Sequence, residues 1–198
     1  MCFSATASFG AGAIVLAIGA VSIKKSTTLP QRVLSCIPLI FGFQQFAEGI
    51  EWRSLPNPDL ALWKRMATYT FLVLAEVVWP IIIPLSVWLL EKNIKVKKTV
   101  GALMILGVIV ASVLAYSLLV FDVQATISKS HIRYDIAYPD YLKHLGIFYF
   151  SATVIPCIIS SIKGLRVMGA VMAIAYLVTR IFYEDYLISV WCFFAAII

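Results

Sequence analysis

The chain has 198 residues, of which 62% are hydrophobic and 13% are charged, and its formal net charge is +6. A soluble domain averages roughly 45–50% apolar and about 25% charged residues, so the composition predicts an integral membrane protein. Membrane topology explains the surplus of lysine and arginine. We therefore expect the lipid bilayer as a partner and exclude nucleic acid.

Apolar runs recur along the whole chain and are separated by short charged loops. A helix needs roughly 20 residues to cross a bilayer. Seven runs approach this length: residues 3–23, 33–52, 66–90, 100–121, 145–162, 167–183 and 186–198. They are continuously apolar rather than alternating, which disfavours a transmembrane β-barrel. We predict an all-α integral membrane protein, a single domain over residues 1–198 with about seven transmembrane helices.

The distribution of positive charge predicts an orientation. Nine lysines and arginines lie in the loops after the first, third and fifth predicted spans, and six lie in the loops on the other side. The side with more positive charge faces the cytoplasm in most membrane proteins. This predicts an outside N-terminus. It places the longest loop, residues 122–144, outside, where its amphipathic character indicates a segment on the membrane surface that acts as a lid.

Four ionisable side chains inside or directly beside the apolar runs are candidates for a site: Glu48, Glu76, Arg180 and Glu184. A charge in hydrocarbon is costly unless it is paired or wetted, so such residues are functional-site candidates. The second span adds a polar stripe at helical spacing. Its members are Gln44, Gln45, Glu48, Glu51 and Trp52.

Most of these polar residues fall in the predicted outer half of the bilayer, where Tyr149 and Ser151 of the fifth span also lie. This predicts a polar cavity that opens outward, with Arg180 as the counter-charge to Glu48 or Glu76. The alternative is a buried hydrogen-bond and ion-pair network that only locks the bundle.

The leading hypothesis is a protein that binds or translocates a small polar solute or cation. Glu48 and Glu76 are its protonatable or cation-binding groups, and Arg180 is the internal counter-ion. Ligand hydrogen bonds are assigned to Gln44, Gln45, Tyr149 and Ser151.

The alternative is a membrane-embedded enzyme, with a metal-dependent hydrolase as one form, that acts on a lipid-like substrate at the outer leaflet. Its catalytic residues are Cys2, His131 and Glu184. Cys2, Glu48 and His131 then supply ligands for a divalent metal, since thiolate, carboxylate and imidazole groups all bind such ions.

A short internal similarity suggests a repeat. Phe-Ser-Ala-Thr occurs at residues 3–6 and again at residues 150–153, in two spans of the same predicted direction. Val-Trp occurs in both the third and the last span. Together these predict a 3+1+3 arrangement of parallel repeats.

Three motifs carry a family resemblance: MCFSATASF at residues 1–9, FxxQQxxEGxxW at residues 41–52 and SVWCF at residues 189–193. With them the chain resembles a family of bacterial multi-spanning membrane proteins of unknown function whose members begin MCFSATASF. The resemblance implies a multi-pass protein of the bacterial inner (cytoplasmic) membrane. It implies no activity.

Overall fold

The computed structural model describes residues 4–128, 130–139, 142 and 144–198. In these residues the chain forms seven helices and one β-hairpin. The helices are α1 Ala5–Lys25, α2 Leu29–Ser54, α3 Pro58–Leu90, α4 Ile94–Val120, α5 Leu145–Ile159, α6 Lys163–Phe182 and α7 Leu187–Ile197. The strands are β1 Val123–Ser128 and β2 His131–Ile136. The predicted helical architecture is confirmed in outline, but the all-α prediction misses the hairpin.

Five helices, α1 to α4 and α6, are long and apolar enough to cross a membrane. Helix α5 is shorter and is interrupted at Val154. Pro156 explains the break, because a proline has no N–H for the helical hydrogen bond and restricts the residue before it. Helix α7 has 11 residues, or roughly 16 Å of helix, about half of the hydrocarbon thickness. The length needed for a full span is therefore reached by five of the seven predicted segments.

Helices α1 and α2 form a closely packed hairpin. Ser4 caps α1, and Thr28 caps α2, through side-chain oxygens that accept backbone N–H groups. A Cβ atom added at Gly42 would lie 3.1 Å from the carbonyl oxygen of Gly12. The absence of side chains at these positions allows the two backbones to approach, as is common between membrane helices.

Helix α3 contains a π-helical turn, Val73–Val78, between two α-helical parts. Pro80 follows this turn and has no N–H to donate. In π-helical pairing a carbonyl accepts from the residue five positions later, so Ala75 would have to pair with Pro80. The hydroxyl of Tyr149 on α5 donates to the Ala75 carbonyl instead. The turn therefore joins α3 to α5 at the level of Glu76.

The chain between α4 and α5 forms an antiparallel β-hairpin. Val123 pairs with Ile136 at its open end and Ser128 pairs with His131 beside the turn. Ser130 in the turn has φ 63°, in the left-handed region that tight turns often require. The amphipathic character of this segment was predicted from the sequence, but the strand pairing was not. Its position on a membrane surface and its role as a lid stay predictions.

Glu91 links the loop after α3 to the loop after α5. Its carboxylate accepts hydrogen bonds from the Ser160 hydroxyl at 3.1 Å, from the Ser161 N–H at 2.8 Å and from the Ser161 hydroxyl. Asn93 N–H donates a further bond at 2.9 Å. Desolvation by burial raises the pKa of Glu91, but these hydrogen bonds outweigh it and lower the pKa to about 2. The ionised carboxylate thus fixes two loops to each other.

Candidate functional site

Helix α2 carries a fully buried polar face formed by Gln44, Gln45, Glu48 and Glu51. The spacing of these residues in the sequence predicted one polar stripe. Two carboxyl groups and two amides that are shielded from solvent need hydrogen-bond partners from the neighbouring elements. Those partners determine which of the four side chains are committed to the fold.

Glu48 holds three helices together. The Ser8 hydroxyl of α1 donates to Glu48 Oε2 at 3.3 Å, and the Ser189 hydroxyl of α7 donates to Glu48 Oε1 at 2.6 Å. Both oxygens of the carboxyl group are therefore occupied. This geometry gives Glu48 a structural role at the junction of α1, α2 and α7.

Glu51 connects α2 to the β-hairpin. The Tyr134 hydroxyl of β2 donates to Glu51 Oε2 at 2.5 Å, and the Tyr134 ring stacks on Phe71 of α3 with centroids 5.0 Å apart. Burial raises the pKa of Tyr134 well above its usual range, and the Glu51 and Glu48 carboxyl groups raise it further. Tyr134 therefore remains a protonated donor at neutral pH.

Glu76 lies in the π-helical turn of α3 and borders a cavity of about 190 Å³. The Tyr138 hydroxyl, just after β2, donates to Glu76 Oε2 at 2.7 Å. The cavity is lined by Ala75, Glu76, Leu114, Tyr138, Leu142, Leu145, Gly146, Tyr149, Tyr176, Leu187, Ile188, Trp191 and Cys192. Glu76 supplies the only carboxylate, and no lysine or arginine belongs to this set of described residues.

Gln44 has a defined partner, since Trp79 Nε1 donates to Gln44 Oε1 at 2.9 Å. The Trp79 indole also stacks on Phe41, with ring centroids 3.9 Å apart. Gln45 differs: among the described residues neither its Oε1 nor its Nε2 has a hydrogen-bond partner. Leaving a buried amide without hydrogen bonds costs free energy. The Gln45 amide, one helical turn before Glu48, could therefore accept and donate further hydrogen bonds.

Residues 1–198, the whole chain, match a family of unknown function, DUF6629. The chain belongs to this family. No curated protein and no solved structure matches it. Family membership is consistent with the expected family of unknown function and supplies no activity.

Arg180, predicted as the counter-ion of Glu48 or Glu76, pairs with Glu184 in the structure. Arg180 Nη2 lies 3.1 Å from Glu184 Oε1, one helical turn away, and both side chains are more than half exposed. The two pair with each other because they follow the outer surface of the helix end rather than its packed face. Among the described residues, Glu76 takes part in neither of the ion pairs Arg133–Asp135 and Arg180–Glu184.

Of the residues predicted for ligand hydrogen bonds on α5, Tyr149 lines the Glu76 cavity and Ser151 does not. Tyr149 already donates to the Ala75 carbonyl. The Ser151 hydroxyl donates to Ile147 O in its own helix at 2.8 Å. Back-bonding of this kind satisfies a serine within an apolar helix without any ligand.

The residues of the alternative catalytic and metal-binding set can be located only in part. His131 is nearly buried at the start of β2, where its ring stacks on Tyr186 with centroids 4.7 Å apart. Glu184 is exposed beside Arg180, and Cys2 lies outside the described residues. Residues 4–128, 130–139, 142 and 144–198 contain no group of three or more His, Cys, Asp or Glu side chains placed to hold a metal ion.

Apart from Tyr149, the aromatic residues of the site were not predicted from the sequence. Tyr134 and Tyr138 come from the hairpin segment and reach Glu51 and Glu76 across the bundle. Trp191 belongs to the SVWCF motif but was not assigned to the site. The sequence feature that could have indicated Tyr134 and Tyr138 is the cluster of tyrosines in the loop of residues 122–144.

Proposed function

We propose that this DUF6629 protein is a multi-pass protein of the bacterial inner membrane whose Glu76 cavity opens outward and binds or translocates a small polar solute or cation. The observation that carries the proposal is a buried carboxyl group that faces a cavity and, among the described residues, forms no ion pair. In hydrocarbon such a charge must be neutralised by a proton or a bound cation.

The other buried carboxyl groups are less suitable. Glu48 receives two serine hydroxyls, and Glu51 receives the Tyr134 hydroxyl. Among the described residues Glu76 receives a single hydrogen bond, from Tyr138, and it borders open volume. A ligand can therefore approach Glu76 without breaking the contacts that hold the helices together.

A membrane location is supported by the five long apolar helices and by large apolar side chains on their outer surfaces, such as Leu119 and Phe182, which are 85% and 73% exposed. Such surfaces suit lipid rather than water.

The orientation is testable with single cysteines in a cysteine-free variant. An impermeant maleimide added to intact cells should label Pro56→Cys between α2 and α3 and spare Thr27→Cys between α1 and α2. The reverse pattern would contradict the outward opening, and equal labelling of both would contradict membrane insertion.

The functional test compares Glu76→Gln with Asp59→Asn. Both substitutions replace a carboxyl group by an amide, but Asp59 is exposed in the first turn of α3. Wild-type protein and Asp59→Asn should be stabilised against thermal unfolding by one member of a panel of inorganic cations, ammonium ions and neutral polar solutes, because a ligand that binds only the folded state stabilises it. Glu76→Gln should lose that stabilisation. Equal stabilisation of Glu76→Gln by the same compound would show that Glu76 is not the binding group.

A further inference from the structure

We propose that the ligand of the Glu76 cavity is a small organic cation, an alkylated ammonium ion held between aromatic rings. This inference rests on the proposed function and specifies the ligand class. Its basis is the combination of one carboxylate with walls that are otherwise aromatic and aliphatic.

The aromatic walls come from four separate parts of the chain. Tyr138 follows the hairpin, Tyr149 lies on α5, and Trp191 lies on α7, with Tyr176 of α6 beside it. The Trp191 ring meets the Tyr149 ring at 69° and the Tyr176 ring at 71°, with centroids 5.9 and 5.0 Å apart. Rings set nearly at right angles enclose a corner. The electron-rich faces of such rings attract cations, most strongly where water is excluded, and cages of this kind recognise alkylated ammonium groups.

The same walls are unsuited to calcium or magnesium. Calcium takes 6–8 oxygen ligands, and magnesium requires octahedral coordination. Oxygen-bearing side chains in the cavity lining are limited to Glu76 and three tyrosines. Two of those hydroxyls are committed, because Tyr138 donates to Glu76 and Tyr149 donates to the Ala75 carbonyl. A cation with methyl groups needs no such ligand shell and also buries apolar surface against the leucines.

The volume limits the size of the ligand. Pockets for drug-sized molecules measure roughly 300–1,000 Å³, whereas this cavity holds about 190 Å³. It therefore fits a single substituted ammonium group with a short chain. The Glu76 carboxylate supplies the opposite charge at one wall, and the rings supply the remaining contacts.

Two probes of equal shape test this assignment. Choline carries a trimethylammonium group, and 3,3-dimethylbutan-1-ol has the same skeleton with carbon in place of the charged nitrogen. Binding of each to the purified full chain in detergent is measured by isothermal titration calorimetry. We expect choline to bind at least about tenfold more tightly than the alcohol, a difference that corresponds to one charge-dependent contact of ordinary strength. Glu76→Gln should weaken choline binding by at least about tenfold and leave the alcohol unchanged, whereas Asp59→Asn should change neither.

A second variant separates the rings from the carboxyl group. Trp191→Leu keeps an apolar side chain but removes the π face, and should weaken choline more than the alcohol. Thermal unfolding of each variant confirms that it is folded.

Equal affinity for choline and the alcohol would overturn the organic-cation assignment. Binding of sodium, calcium or a neutral polar solute that requires Glu76, without choline binding, would overturn it while leaving the proposed function intact. If no panel compound binds in a Glu76-dependent way, both proposals fail.

Discussion

The contact between Gly107 of α4 and Pro80 of α3 gives the sharpest test of the geometry around the cavity. A Cβ atom built at Gly107 would lie 1.9 Å from the Pro80 carbonyl oxygen, whereas ordinary contacts begin at 3.4 Å. The backbones would have to separate by up to about 1.5 Å, since a main-chain carbonyl cannot swing aside as a side chain can. We therefore expect Gly107→Ala to destabilise the protein.

The magnitude follows from two opposing effects. Overpacking costs typically about 1–3 kcal/mol, and this contact belongs at the upper end because the opposing atom is backbone. Replacing a helical glycine by alanine returns up to about 1 kcal/mol through helix propensity. The expected net loss for Gly107→Ala is about 2 kcal/mol. Because Pro80 follows the π-helical turn that carries Glu76, ligand binding at the cavity should weaken as well.

The assay is unfolding in detergent followed by tryptophan fluorescence, with Gly10→Ala as the matched control. Gly10 also lies inside a helix, but a Cβ atom there meets nothing within 4 Å. Gly10→Ala should be neutral or slightly stabilising. If Gly107→Ala is as stable as Gly10→Ala, the close approach of α3 and α4 described above is wrong.

Three further predictions concern the polar contacts. Glu91→Ala should lower stability by about 2–3 kcal/mol at pH 7, because the donors to its carboxylate lose a charged acceptor. The folded-state pKa of Glu91 is lowered to about 2 from an ordinary 4.5, so this contribution is complete above pH 4.5 and is lost as the pH falls towards 2. Unfolding measured across that range should show the gap between wild type and variant closing, and a constant gap would refute this account. Tyr134→Phe should cost about 1–2 kcal/mol, since Glu51 loses a buried donor, whereas the same change at Tyr116, which is 63% exposed, should have little effect on the unfolding midpoint. Arg180→Ala should change stability by less than about 0.5 kcal/mol in the same assay, as expected for an exposed pair; a much larger loss would restore the buried role predicted from the sequence.

Local sequence features were sufficient to predict the helices. Runs of apolar residues have one stable backbone arrangement in lipid, in which each N–H pairs within its own segment. For the same reason Gln44, Gln45, Glu48 and Glu51 were recognisable as one polar stripe from their spacing alone. The break in α5 at Val154 and the π-helical turn before Pro80 also have local causes. Their consequences for the site, however, depend on contacts with other helices.

Tertiary structure decided which polar groups meet. Arg180 and Glu76 both occupy apolar segments, yet packing exposes one and buries the other, because spacing fixes a side chain's position around its own helix but not the neighbour it faces. The hairpin was missed for a related reason. Strand pairing depends on contacts between segments, and only these bring Tyr134 to Glu51 and Tyr138 to Glu76.

The sequence by itself thus determined that the chain is an assembly of long apolar helices with carboxyl groups inside, since those properties depend on composition and on spacing within one segment. Only the tertiary structure decided that Glu48 and Glu51 are held by serine and tyrosine hydroxyls while Glu76 faces an aromatic cavity. The physical reason is that a cavity is what remains between packed elements. Its walls come from α3, α4, α5, α6, α7 and the chain after β2, which are distant in sequence and meet only when the bundle closes.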